Sequence, residues 1–134
     1  MILRRIRRTI IEQRPFEAWN AFVSLIATGH YGDLSDVQRV AHLCFWYDSE
    51  VRDGGQLQYF ENRRGILLNE TLAALQIIDA ACQREVFENA CRLYSRKPRN
   101  RIESVGDYMA IALRSEFAPF DSAYNGCIPA IQDL

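Results

Sequence analysis

The chain has 134 residues, 49% hydrophobic and 25% charged, with a formal net charge of −1. That balance excludes a disordered chain, a collagen and a coiled-coil rod, and no apolar run approaches the length of a membrane span. A near-neutral total also argues against a general polyanion binder, and four prolines with seven glycines favour a helical protein over a many-stranded one.

Residues 1–14 carry Arg4, Arg5, Arg7, Arg8 and Arg14 against Glu12 alone. Ile2, Leu3, Ile6 and Ile10 recur at helical spacing, so the segment reads as a basic amphipathic helix or arm. Pro15 can open the next helix, with Phe16, Trp19, Phe22, Val23 and Ile26 on one face and Gly29 and Gly32 after its end. Ser35 and Gln38 have capping-box spacing. They precede Val37, Val40, Ala41 and Cys44, in a helix expected to reach about Arg52 and to be the central one.

Asp53, Gly54 and Gly55 break that helix. The expectation is a positive φ at Gly54, with Asp53 capping a short helix from Gln56 to about Asn62. Asn69 can cap a helix carrying Leu72, Ala73, Leu75, Ile78 and Ala81. Another helix is expected from about Gln83 to Tyr94, with Arg84, Glu88 and Arg92 spaced for pairing on its wet side. Residues 95–101, SRKPRNR, read as an exposed basic loop. Ser104 and Asp107 start a further helix, and Phe117, Phe120 and Tyr124 mark one more short one. The expected architecture is a single all-α domain over residues 1–134, with a helix-Gly-Gly-helix break at residues 53–56.

Cys44, Cys82, Cys91 and Cys127 form no CxxC pair, and free buried thiols are expected rather than disulfides. The N-terminus lacks the apolar core of a signal peptide, which implies a cytoplasmic protein. No P-loop, G-x-S-x-G elbow, dinucleotide fingerprint or H-E-x-x-H is present. Glu50 and Asp53, three residues apart, could form a carboxylate pair with His42 and serve a small hydrolase or a metal-dependent enzyme. Each has a structural use as well, so no catalytic residue, cofactor or metal is assigned. Charge is segregated: residues 33–61 hold six acids and two bases, residues 84–101 six bases and two acids, and residues 102–134 five acids and one base. If the acidic stretches meet, a local patch forms despite the net charge. Asp33, Asp36, Asp48 and Glu61 are then its candidate partner-binding residues. Nucleic-acid binding through the Arg-rich segments, Arg4 to Arg8 and Arg96 to Arg101, is the competing reading and the less favoured one.

The segment from Glu50 to Gly65, EVRDGGQLQYFENRRG, resembles the signature of the bacterial DNA-mimic-protein-type family of small helical domains. Glu50, Val51, Gly54, Gly55, Gln58, Tyr59, Phe60, Asn62 and Gly65 match it. Asp53 stands for the usual Asn and Gln56 for the usual Phe. Phe120-Asp121 and Tyr124 resemble a later element of the family. The resemblance implies an all-helical, often dimeric protein without a catalytic site. The expected activity is regulatory: binding a protein, either a DNA-binding regulator or, in an immunity-type variant, a basic toxin.

Overall fold

The computed structural model describes residues 3–96 and 101–134. These described residues form seven α-helices: α1 (Arg8–Gln13), α2 (Phe16–Thr28), α3 (Asp36–Arg63), α4 (Leu68–Ile77), α5 (Ala81–Ser95), α6 (Val105–Ala112) and α7 (Ala118–Asn125). Short 3-10 turns lie at Tyr31–Asp33 and Ile131–Asp133, and the described residues hold no strand. The fold is all-α, as the periodicity requires. No helix among the described residues is long and apolar enough to cross a membrane.

The chain divides into two compact units, Met1–His42 and Leu43–Leu134. In the first, α1 packs on α2, and Leu25, Ile26 and Leu34 are buried. The Ser35 capping box forms in both directions. Gln38 N–H donates to Ser35 Oγ at 3.3 Å, and Ser35 N–H donates to Gln38 Oε1 at 3.0 Å. Arg39 lies over the Tyr31 ring, 5.5 Å from its centroid, and donates to the carbonyls of Tyr31 and Gly32. Val37, expected on the apolar side, is exposed.

The second unit is organised around an aromatic core. Tyr47, Tyr59, Phe60 and Phe87 are almost completely buried. Tyr47 meets Phe87 at 4.4 Å and Tyr124 edge-on at 5.4 Å, while Phe60 stacks on Tyr94 at 4.4 Å. Each such pair adds about 0.5–1.5 kcal/mol beyond simple burial. These contacts tie α3, α5 and α7 together. The buried hydroxyls are partnered: Tyr59 with Thr71 at 3.1 Å, and Tyr47 with the amide of Gln56.

Several boundaries differ from the sequence reading. α4 starts at Leu68, and its cap position is Leu67 at φ 58°, so Asn69 is not the cap. Ser104 does cap α6, accepting from Asp107 N–H at 3.1 Å. On α5, Arg92 closes on Glu88 at 3.1 Å, but Arg84 Nε is buried without a hydrogen-bond partner, so the expected three-residue series is incomplete. Cys82 and Cys127 form a disulfide, contrary to the expectation of free thiols; Cys44 and Cys91 remain free. The pairing was invisible in the spacing because α7 brings Cys127 back to the start of α5 across 45 residues. Residues 97–100 of the expected basic loop lie outside the described residues.

Candidate protein-binding site at the helix break

The break in α3 falls on one residue. Gly55 has φ 80° and ψ −176°, while the helix continues on both sides. That backbone region is essentially closed to residues with a Cβ. The expected positive φ at Gly54 is therefore corrected to Gly55. Gly54 leaves room for the Gln58 side chain. A Cβ there would run into the Gln58 side chain, with Cδ only 2.6 Å away.

A helix that restarts leaves its first amide groups without carbonyl partners. Asp53 does not supply the cap, as the sequence reading had it. The Gln56 N–H instead donates to Asp121 Oδ1 at 2.7 Å, from α7, 65 residues later. Gln56 itself turns inward and is fully buried against the Tyr47 hydroxyl. Asp53 instead faces Gln58. Gln58 Nε2 donates to Glu50 Oε2 at 2.7 Å and to Asp53 Oδ2 at 2.8 Å, and Asn62 Nδ2 donates to the same Glu50 oxygen at 2.7 Å. The motif residues Glu50, Asp53, Gly54, Gly55, Gln58 and Asn62 are thus one connected structure. Tyr59 and Phe60 anchor its far side in the core.

α6 completes the site. Gly54, Leu57, Tyr108, Ile111, Glu116, Phe117 and Asp121 are among the residues lining a small cleft of about 140 Å³. Burial raises the Tyr108 pKa, and the negative charges of Glu61, Asp121, Glu50 and Asp53 raise it further. Acids from two stretches far apart in sequence thus act on this hydroxyl through their charge. Burial also pushes the Asp121 carboxyl above the ordinary aspartate range, against the opposing effect of the Gln56 amide.

The four sequence-chosen acids are distributed unevenly. Asp33 and Asp36 lie in the first unit, exposed, and Asp36 is 3.8 Å from Arg39 Nη1. Asp48 is committed internally: it accepts from the Tyr124 hydroxyl at 2.6 Å and from Arg52 Nε at 2.9 Å. Only Glu61 follows the break on α3, and its charge acts on Tyr108. The sequence reading missed Asp121 and Tyr108 as site residues. The one signal available was the likeness of the Phe120-Asp121…Tyr124 stretch to a family element.

Of the enzyme triad, Glu50 and Asp53 do converge, on the Gln58 amide. His42 belongs to the other unit, where Nδ1 donates to the Ile26 carbonyl at 2.9 Å. No group of three or more His, Cys, Asp or Glu residues suited to a metal ion occurs among the described residues.

The family model of the DMP19-like proteins matches residues 32–133. The chain belongs to the DMP19-like family. The name stands for DNA mimic protein 19. The match takes in the whole helix break, α6 and α7, and leaves the basic N-terminal segment outside it. No curated protein and no solved structure matches the chain.

Proposed function

We propose that this DMP19-like protein is a non-catalytic regulatory module that captures the basic surface of a DNA-binding protein on the acidic face at the Gly55 break. One observation carries the reading. Six carboxylates of this arginine-rich chain pair with arginine, Glu12 with Arg8, Glu17 with Arg14, Asp36 with Arg39, Asp48 with Arg52, Glu88 with Arg92 and Glu103 with Arg101, whereas those at the break are held in another way. Among the described residues, Glu50, Asp53, Glu61 and Asp121 have no such pairing. Neutral amides of Gln58, Asn62 and the Gln56 backbone hold three of them. An amide fixes a carboxylate in place without cancelling its charge. A surface that must imitate phosphates needs that combination, since a DNA-binding groove is built to receive fixed negative charge.

A net charge of −1 does not oppose this reading, because at physiological salt a partner feels charge only over a Debye length of about 8 Å. The dimer that the family resemblance implies would double the surface. The immunity-type reading uses the same face against a basic toxin.

The test compares the wild-type chain with an Asp53→Lys/Glu61→Lys variant. Proteins captured from the source cell on the wild-type chain should be released by added duplex DNA and should not bind the variant. Capture of a toxin that DNA does not displace favours the immunity-type reading. If the chain itself binds duplex DNA at low salt, and loses it on reversing Arg4, Arg5, Arg7 and Arg8 to Glu, the proposal is wrong.

A further inference from the structure

The disulfide lies where it can control the acidic face. Cys127 follows α7 by two residues and is buried, while Cys82 stands in the first turn of α5 and is exposed. A second tie runs parallel to it: Gln83 Nε2 donates to the Pro129 carbonyl at 2.7 Å. Together they fasten the end of α7 and the C-terminal segment to α5. α7 in turn supplies two long-range contacts to α3. Asp121 caps the Gln56 amide at 2.7 Å, and Tyr124 donates to Asp48 at 2.6 Å. The carboxylate of Asp121 also fills the space over Gly55 that a Cβ would occupy.

From this connection we infer that the Cys82–Cys127 disulfide is a redox tether that sets the position of Asp121 at the helix break. The inference concerns regulation of the site proposed above and rests on that reading only for its biological meaning. The chemistry is a two-electron thiol–disulfide exchange with a dithiol reductant. A thiolate of the reductant attacks the sulfur of Cys82, the exposed partner, and the Cys127 sulfur leaves as a thiolate and takes up a proton. The second thiol of the reductant then displaces Cys82 from the mixed disulfide. The products are two cysteine thiols and the oxidised, disulfide form of the reductant. Disulfides in reducing compartments are commonly transient and sensory rather than structural. Once the bond is open, the C-terminal end of α7 is fastened to α5 only by packing and by the Gln83 contact with Pro129, and α7 meets α3 only through the Asp121 and Tyr124 hydrogen bonds and its packing. The Asp121 cap then opens more often, and the carboxylate leaves the group around Tyr108.

The test needs no partner, so its outcome is independent of the proposed function. Hydrogen exchange of the Gln56 amide is followed by NMR on the full chain, oxidised and after dithiothreitol. Protection of Gln56 should fall at least tenfold on reduction, while the amides of Leu72 to Leu75 in α4 stay unchanged. Cys127→Ala should show the fast rate with or without reductant. Equal exchange in both states would overturn the tether. So would joint loss of protection at Gln56 and α4, which would make the bond a global staple. Alkylation of both Cys82 and Cys127 in protein purified without reductant would remove the bond on which the inference stands.

Discussion

The substitution that most directly tests the helix break is Gly55→Ala. Two costs add. The backbone at φ 80°, ψ −176° is almost exclusive to glycine, and an alanine held there costs about 1–3 kcal/mol. The new Cβ would also lie 2.7 Å from Asp121 Oδ2 and 2.9 Å from its Cγ, so the carboxylate must retreat from the Gln56 amide. Losing that charged hydrogen bond costs a further 1.5–3 kcal/mol or so. A total of about 2.5–6 kcal/mol is a large share of a domain's usual stability of roughly 5–15 kcal/mol. The assay is urea unfolding followed by Trp46 fluorescence in a Trp19→Phe background, so that the signal comes from the second unit alone. With a slope of about 1–3 kcal/mol per molar, the midpoint should drop by about 0.8 M or more. The two costs can be separated in a cycle with Asp121→Ala. In the Gly55→Ala background that truncation should cost little or even help, because the carboxylate is already displaced and crowded. Strict additivity of the two substitutions, or a Gly55→Ala cost under about 1 kcal/mol, would refute this account of the break.

Two further substitutions probe the contacts of α7. Tyr124→Phe should destabilise the second unit by about 1.5–3 kcal/mol, since its hydroxyl makes a short bond to a largely buried carboxylate, whereas Arg52→Ala at the same Asp48 should cost less than about 1 kcal/mol because Arg52 is half exposed; equal losses in urea titrations would count against that ranking. Asp121 has a folded-state pKa raised by burial, so its protonated form is the favoured one on folding and its contribution is fully present below the unfolded value of about 3.9 and lost as pH rises through the folded value. The stability of wild type relative to Asp121→Asn should therefore fall as pH increases upward from about 4, and a flat or rising difference would show that the amide bond outweighs burial.

The helices were legible because their signals are local. Apolar spacing placed α2, α3 and α5, and Ser35 and Ser104 marked two starts through capping geometry that needs only three residues. The site was legible only in half. Glu50, Gly54, Gly55, Gln58 and Asn62 stand close together in sequence, and their unusual density singled them out. What completes them comes from α6 and α7. No local pattern shows that Asp121 caps Gln56, or that Cys127 returns to Cys82. The misplaced positive φ has the same origin. Either glycine satisfies the turn chemistry, and only the Gln58 side chain over Gly54 and the Asp121 carboxylate over Gly55 decide which one bends. Asp48 misled for a related reason: a helix-face aspartate looks solvated until Tyr124 is found beside it.

Whether the cluster at the break can exist without arginine is a question of magnitudes. Glu50 and Asp53 share one amide nitrogen at 2.7 and 2.8 Å, so their bonded oxygens lie no more than about 5.5 Å apart. Two full charges at or within that distance repel by about 0.8 kcal/mol or more in water and by about 3–4 kcal/mol at the effective dielectric of a protein surface. Each hydrogen bond from an amide to a charged group contributes about 1.5–3 kcal/mol, and Glu50 has a second one from Asn62. The amides therefore offset the repulsion without arginine. An arginine in place of Gln58 would satisfy the same geometry and stabilise the pair more, but it would erase the field. Gln58→Arg separates the two demands. It should leave the fold as stable or more so, and should abolish capture of a basic partner.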